Sequence, residues 1–427
     1  MNRRDFLKDS ALATMSLALA LGGEELFAQT APPTDDKPSG PPINCGVIGL
    51  GEQGREILAD LARLGNAPVV AICDNYTVQA YIHRSSEIAP KATFYDDYRK
   101  LLAAPDVQAV FVATPSHQHK QIVLDALAAG KHVYCEAPLA TDLGEALDIA
   151  KAGQAAKTVF QSGLQFRSNK QHQHVLSFVR AGALGNIAGG RGQWHQKTSW
   201  RRPAPPDPPG RAREVNWRLY KDSSSGLPGE IGIHSFDIAD WFLKDLPVSV
   251  TGFGSILQWT SDGMEVPDTV QAIVEYPNNV RYLYDATLAN SFDGEYDLFM
   301  GSDCAMLLRD QRAWMFKEID SPLLGWEVYA RKDKMSIGDD TMGTGVALVA
   351  DATKLIAQGK QPKDVGTDVT KSALYQALDS FLDCIRNNKK PAAGPLEGYQ
   401  ATVVAHKVHE ATLTGTKIAF QKEWFTL

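Results

Sequence analysis

The sequence predicts an α/β protein of two unlike sheets, and three observations carry that prediction. Between residues 43 and 164, short apolar runs alternate with segments of helical spacing, the pattern of βαβ units joined by right-handed crossovers around a parallel sheet. The first apolar run passes straight into Gly49-Leu50-Gly51-Glu52-Gln53-Gly54. Beyond about residue 165 the runs become longer, more polar and separated by turns, as in antiparallel strands with one face exposed or turned to a ligand.

The chain begins with Arg3-Arg4 ahead of Phe6, Leu7 and Lys8, followed by an Ala/Leu-rich run. This has the form of a twin-arginine export signal over residues 1–28, which predicts a periplasmic protein. The apolar run from Ala11 to Leu21 is too short to span a bilayer, which takes about 20 helical residues, so no stable membrane anchor is expected. Residues 29–42 are Pro-rich and have nothing to bury, and they read as a linker.

In the 43–164 domain, INCGVIGLG, APVVAICD, VQAVFVATP and AGKHVYCEAP are the expected strands, and EQGREILADLARLG and HKQIVLDALAAG the expected helices. In the 165–427 domain, GNIAGGRGQWHQK, SVTGFGSILQWT, TVQAIVEY and VRYLYDATLA are expected strands of a large, open, mainly antiparallel sheet. Asn278-Asn279 in YPNNVRY supplies the residues a tight hairpin turn tolerates. The stretch SWRRPAPPDPPGRAREVNW (199–217) has five prolines and is expected to be a lid or rim. Amphipathic helices close the chain at ALYQALDSFLDCIRN and QATVVAHKVHEATLTG.

The glycine pattern follows a strand and opens a helix, the context that marks a dinucleotide fold of the Rossmann type. Gly49, Gly51 and Gly54 allow the tight turn and the approach of a diphosphate to the helix N-terminus, beside Glu52 and Gln53. Asp74, twenty residues past Gly54, ends the second strand, where a carboxylate accepts hydrogen bonds from the ribose hydroxyls. That favours NAD over NADP, although Arg84 stands ten residues further on.

A formal charge of −7 and pI near 5.8, with no basic block, set nucleic acid aside. The five cysteines, Cys45, Cys73, Cys135, Cys304 and Cys384, are odd in number and read as buried apolar residues. His172-Gln173-His174 has ligand-like spacing but no third ligand nearby, so a surface helix is expected there and no metal.

These residues together resemble the Gfo/Idh/MocA family of dehydrogenases acting on sugars and cyclitols, along nearly all of 43–420. The resemblance rests on the glycines, on Asp74, on the run from Ala113 to His119, on the Glu136-x-Pro138 junction, and on Glu230-Ile231-Gly232-Ile233-His234-Ser235-Phe236-Asp237. It implies NAD between two domains, with Thr114, Pro115 and His119 near the nicotinamide and Glu136 and Pro138 beneath it. Family members commonly pair through the open face of the second sheet, so a homo-oligomer is expected. The family has a lysine where this chain has Ala137, and it usually has Asp where this chain has Glu230.

Glu230, His234 and Asp237 would share one helical face, letting the carboxylate orient the imidazole or raise its pKa. His234 is then the expected base for a sugar hydroxyl, with Glu230 beside it. Lys197 and Tyr220 are candidates for the missing lysine's role, and Arg167, Trp194, His195 and Asp237 are candidates for contact with a carbohydrate substrate. Trp194, Trp200 and Trp217 flank the Pro-rich stretch and serve either to stack on a sugar or to anchor the loop.

An exported protein has no soluble NAD pool to draw on, which points to bound, internally recycled NAD. Two chemistries satisfy this: oxidation of one sugar coupled to reduction of another, or redox-neutral cleavage of a glycoside through a transient 3-keto sugar. An inactive carbohydrate-binding protein of the same fold is the third alternative.

Overall fold

The computed structural model describes residues 40–76, 79–204, 210–322, 327, 330–336, 342–350, 352–361 and 366–427. The expected export signal, most of the linker and the Pro-rich core at 205–209 lie outside the described residues.

The first sheet arises from β1 (Cys45–Ile48), α1 (Glu52–Arg63), β2 (Val69–Cys73), α2 (Gln79–Ile88), β3 (Thr93–Tyr95), α3 (Tyr98–Ala103), β4 (Ala109–Val112), α4 (His119–Ala128), β5 (His132–Cys135), α5 (Leu143–Ala155) and β6 (Phe160–Ser162). Its strands are all parallel, in the order β3-β2-β1-β4-β5-β6. β1 and β4 are buried along their whole length, which is why their sequences are continuously apolar. The order reverses between these two strands, so the crevice at their C-terminal ends is where a ligand belongs. α1 lays Ile57, Leu58 and Leu61 on the sheet, with Glu52 in its first turn and Arg63 in its last, each opposing the local helix dipole.

The second part contains α6 (Lys170–Arg180), β7 (Ile187–His195), α7 (Arg211–Val215), α8 (Ile233–Leu243), β8 (Ser249–Ser255), β9 (Thr269–Glu275), β10 (Arg281–Thr287), β11 (Glu295–Gly301), β12 (Cys304–Arg309), β13 (Arg312–Lys317), β14 (Lys332–Ser336), β15 (Met342–Leu348), α9 (Ala352–Ala357), α10 (Ala373–Asn387), α11 (Pro395–Thr414) and β16 (Ile418–Ala419). The sheet order is β14-β15-β13-β12-β11-β7-β10-β9-β8-β16. β7 and β10 run parallel, and the other pairs are antiparallel.

β9 and β10 alternate buried and exposed residues, as strands with one covered face must. Asn278 (φ 61°) and Asn279 (φ 62°) take the left-handed conformation between them, as the hairpin requires. On the covered face Gly192 makes room for Tyr282, whose hydroxyl would lie 2.3 Å from an added Cβ. Tyr282 Oη in turn donates to Asp297.

α10 and α11 do more than pack on their own sheet. α10 inserts Leu374, Leu378, Phe381 and Leu382 into the core of the first sheet, where the Phe381 ring meets Phe111 at 5.5 Å and Tyr134 at 5.8 Å. Burial of side chains this size contributes roughly 2 kcal/mol each. α11 starts at Pro395, earlier than its amphipathic stretch suggested, and lies against α5, α8 and β8.

The five cysteines are buried and free, and burial pushes the thiols of Cys45 and Cys73 up to about 12. Residues 170–180 are helical as expected, but His172 is buried rather than on the surface. Its ring stacks on Phe166 at 4.6 Å and its Nδ1 lies 3.2 Å from Asn169 Oδ1. Among the described residues, no three His, Cys, Asp or Glu side chains are grouped to hold a metal, and no helix is long and apolar enough to cross a membrane.

Candidate active site

A cleft of about 770 Å³ runs from the glycine turn and Asp74, past Thr114 and Glu136, to Glu230 and His234. Local sequence dictates its floor. Gly49 has φ +95° and its Cβ would stand 2.5 Å from Ala113 O, while a Cβ on Gly54 would come within 1.9 Å of Gly49 O. These two glycines are needed for the turn to exist at all. A Cβ on Gly51 would meet no protein atom within 4 Å. It would project into space that the protein does not fill, which fits a diphosphate approaching the start of α1.

Asp74 fixes this turn. Its Oδ2 accepts from Leu50 N–H and its Oδ1 from Tyr76 N–H, both at 2.7 Å. Burial raises the Asp74 pKa while these hydrogen bonds, Arg211 and Arg55 oppose the rise. The carboxylate keeps further lone pairs for ribose hydroxyls. Thr114 Oγ1 is buried on the opposite wall without a partner, a vacancy that a ligand group would fill. The residues present therefore fit a bound NAD, held by the glycine turn, Asp74 and the Thr114 wall.

His119 works as a strut within that wall. Its Nε2 lies 2.9 Å from Thr114 O, and its Nδ1 lies 3.1 Å from Pro138 O and 3.2 Å from Leu139 O. Burial pulls its pKa down to about 4, and since a neutral ring has a single N–H, it donates to the carbonyl of one loop and packs against the other. Next to it, the Ala137–Pro138 peptide bond is cis and Ala137 faces the cleft where the family lysine is missing. Glu136 Oε1 accepts from Gln53 Nε2 at 2.9 Å. Protein encloses this carboxyl except toward the cleft, and the burial pushes its pKa up to about 7.

His234 and Glu230 both line the cleft, yet they do not act on each other as their spacing suggested. Residues Pro228–Gly232 form a π-helical turn ahead of α8, and the wider turn shifts Glu230 out of register with His234. Its carboxylate instead accepts from Arg218 Nε at 3.3 Å and Ser224 Oγ at 3.4 Å, with Ser116 also bonded to it. Far from being raised, the His234 pKa is held down to about 4 by burial. Its Nδ1 is buried without a partner, and the ring stands edge-on to Phe166 at 5.7 Å.

Eight other expected site residues stand outside the lining of this cleft: Gly54 and Pro138, which belong to the glycine turn and the cis junction, and six more. Arg167 and Asp237 are bound to each other by three contacts of 2.8 to 3.0 Å. Trp194 is on the covered face of β7, packed against the core. His195 sits with Nδ1 2.9 Å from Phe292 O and Nε2 3.2 Å from Asp285. Lys197 is exposed, with its backbone bonded to Ser291. Tyr220 lies under the Arg213 guanidinium at 3.9 Å.

The cleft is completed by Ser116 of the Ala113–His119 run, by Trp217, and by four residues that motif reading passed over: Gln165, Arg202, Arg211 and Arg218. For Arg202, Arg211 and Arg218 the one signal is membership of, or proximity to, the Pro-rich stretch expected to be a lid or rim, and Gln165 carries none.

Comparison with known proteins matches both parts of the chain to one family. Residues 43–164 match the model of an oxidoreductase family with an NAD-binding Rossmann fold, and residues 172–301 match that of the GFO/IDH/MocA C-terminal domain. Among curated proteins, the inositol 2-dehydrogenase of Gluconacetobacter diazotrophicus is 35% identical over 34% of this chain and 43% of its own length. A glycosyl hydrolase family 109 protein of a Shewanella species is 26% identical over 47% of each chain. The matched stretch thus spans about half the length of these relatives. A levoglucosan dehydrogenase solved with NADH and levoglucosan superposes with a TM-score of 0.68, covering 88% of this chain and 99% of that one at 20% identity.

Proposed function

The chain belongs to the Gfo/Idh/MocA oxidoreductase family, and from that premise we propose that it is an NAD-dependent oxidoreductase acting on a sugar or glycoside, with its NAD tightly held and recycled in place. The observation that supports this most is the placing of His234, neutral and with an unpartnered Nδ1, in one cleft with the glycine turn and Asp74. The relatives' names for inositol and levoglucosan dehydrogenases support a polyhydroxylated substrate.

Bound NAD supplies the hydride acceptor. His234 takes the hydroxyl proton. A base with a pKa near 4 is weak for an ordinary alcohol, but as hydride leaves the carbon the hydroxyl becomes that of a protonated carbonyl and is strongly acidic. Transfer to His234 is then favourable late in the step, so the absent lysine at Ala137 is not required. The fixed Arg218–Glu230 pair presents a donor and an acceptor to neighbouring sugar hydroxyls.

Redox-neutral cleavage of a glycoside is the second reading, favoured by Ala137, by the name of the Shewanella relatives, and by Glu136. A cleft carboxyl with a pKa near 7 can take a proton and return it. In this scheme C3 is oxidised, the acidified C2 proton is removed, the aglycone leaves from C1, water adds and the hydride is given back.

Export through the Arg3-Arg4 signal to the periplasm forms part of the proposal, as does self-association through the outer face of the ten-stranded sheet, where Phe253, Ile273, Leu283 and Met300 are exposed.

The test is to add candidate sugars and glycosides to the purified protein and follow reduced nicotinamide by absorbance and fluorescence. Stoichiometric reduction that persists until a second sugar is added supports the oxidoreductase. Aglycone release without net reduction supports the glycosidase. No spectral change with any sugar, and no aglycone release, would sink both.

A further inference from the structure

We propose that Arg202 and Arg211 form a retaining strap, closing the cleft at the diphosphate and adenosine ends and making release of NAD slow. The inference rests on the reading above for why retention matters, and on geometry for how it is achieved.

Arg202 meets Glu52, the first residue of α1, with Nη2 and Oε2 2.6 Å apart. Glu52 directly follows Gly51, so this ion pair joins the second sheet's part of the chain to the turn that receives a diphosphate. The backbone of Arg202 is clamped by one buried side chain. Its N–H donates to Asn216 Oδ1 at 2.6 Å, and its carbonyl accepts from Asn216 Nδ2 at 3.0 Å. Arg202 is therefore held over the cleft from behind.

At the far end the Arg211 guanidinium lies 5.2 Å from the centre of the Tyr76 ring, and its Nη1 pairs with Glu214 at 2.7 Å. Tyr76 is placed by its own N–H, which donates to Asp74 Oδ1, the carboxylate expected to hold the adenosine ribose. Arg211 acts electrostatically on that carboxylate, 137 residues away in sequence. A flat cation fixed over an aromatic ring makes a rigid edge on which a base can rest.

Tyr76, Arg202 and Arg211 all line the cleft. An anionic diphosphate lying between the two arginines is attracted by both, and its departure requires both contacts to separate. An exposed ion pair alone slows release by about fivefold at most, so the strap depends on the pair and the stack acting together.

The test measures NAD content of the full chain after gel filtration, and the rate at which bound NAD exchanges with labelled NAD. Wild type should retain NAD. R202A should exchange about fivefold faster and R211A about tenfold faster, and the double variant should lose NAD on the column. R202K should stay near wild type, whereas R211K, lacking the flat guanidinium, should behave as R211A. Unchanged circular dichroism and melting of the NAD-free variants would show that the fold is intact.

Equal exchange rates in wild type, R202A and R211A would overturn the strap. So would a wild type that exchanges NAD freely yet reduces added NAD with a sugar, an outcome that leaves the hydride-transfer reading standing. Strap-dependent retention with neither reduction by any sugar nor aglycone release would uphold the strap and sink that reading.

Discussion

Arg167 and Asp237 are bound to each other, with the guanidinium spanning both carboxylate oxygens at 2.8 to 3.0 Å. The pair joins the segment carrying Gln165 and Phe166 to the helix carrying His234. Asp237 is buried and Arg167 nearly so, which makes each the other's necessary counterion. Removing one partner leaves an uncompensated charge, so D237A is expected to lower stability by ~3–5 kcal/mol in denaturant titration. R167M/D237L should recover much of that loss, since well-packed apolar residues often replace such a pair at little cost.

His234→Ala should abolish turnover while leaving NAD bound, as judged by sugar-dependent reduction and by NAD content after gel filtration. The pH profile adds a signature. With its pKa near 4, the imidazole is neutral throughout the neutral range, so no loss of activity on acidification should arise from His234 until pH approaches about 4. A limb near the ordinary histidine value of 6.5 would assign the base elsewhere.

Glu136 produces the opposite slope in stability. Its folded pKa is raised from 4.5 to about 7, so between those values the NAD-free folded state holds a proton that the unfolded state has lost. Stability contributed by this group is fully present below pH 4.5 and is lost as pH rises through about 7. E136Q should remove that loss: its unfolding free energy, measured by denaturant titration, should gain on wild type across the window by at most ~1.4 kcal/mol per pH unit. Parallel curves for the two proteins would remove the basis for Glu136 as a proton carrier.

The glycine turn offers a paired comparison. An added Cβ at Gly51 meets no protein atom within 4 Å, whereas at Gly54 it meets Gly49 O at 1.9 Å. G51A should therefore fold and melt like wild type but bind NAD at least about tenfold more weakly, by calorimetry. G54A should lose stability with or without NAD.

Ala137→Lys should raise simple sugar oxidation, measured as the rate of nicotinamide reduction, because the residue faces the cleft beside Glu136. No gain would mean that the site has been rebuilt around His234 and the Arg218–Glu230 pair.

What could be read from the sequence was what is local. The glycines, Asp74 and the Asn278-Asn279 turn each impose their own backbone, so three to six residues sufficed to place them. Contacts made at a distance were not legible: nothing beside Asp74 announces that Arg211 will stand near it. The Glu230–His234 expectation failed for a subtler reason. Spacing of four implies contact only on an α-helix, and the π-turn at Pro228–Gly232 leaves no mark in the hydrophobic pattern. Trp194 and His195 were misplaced because strand alternation separates two faces without saying which meets the cleft. Tyr282, pressed on Gly190 and Gly192, decides that for β7.

Helix α10 has a consequence for the order of biosynthesis. Leu374, Leu378 and Phe381 complete the core around Phe111 and Tyr134, so the core of the nucleotide-binding half is filled only once this helix has been made. It must wait for a segment made more than two hundred residues later. Until then the growing chain exposes an unfinished apolar surface. A chain truncated before residue 373 is expected to have a less stable first domain, as limited proteolysis would show.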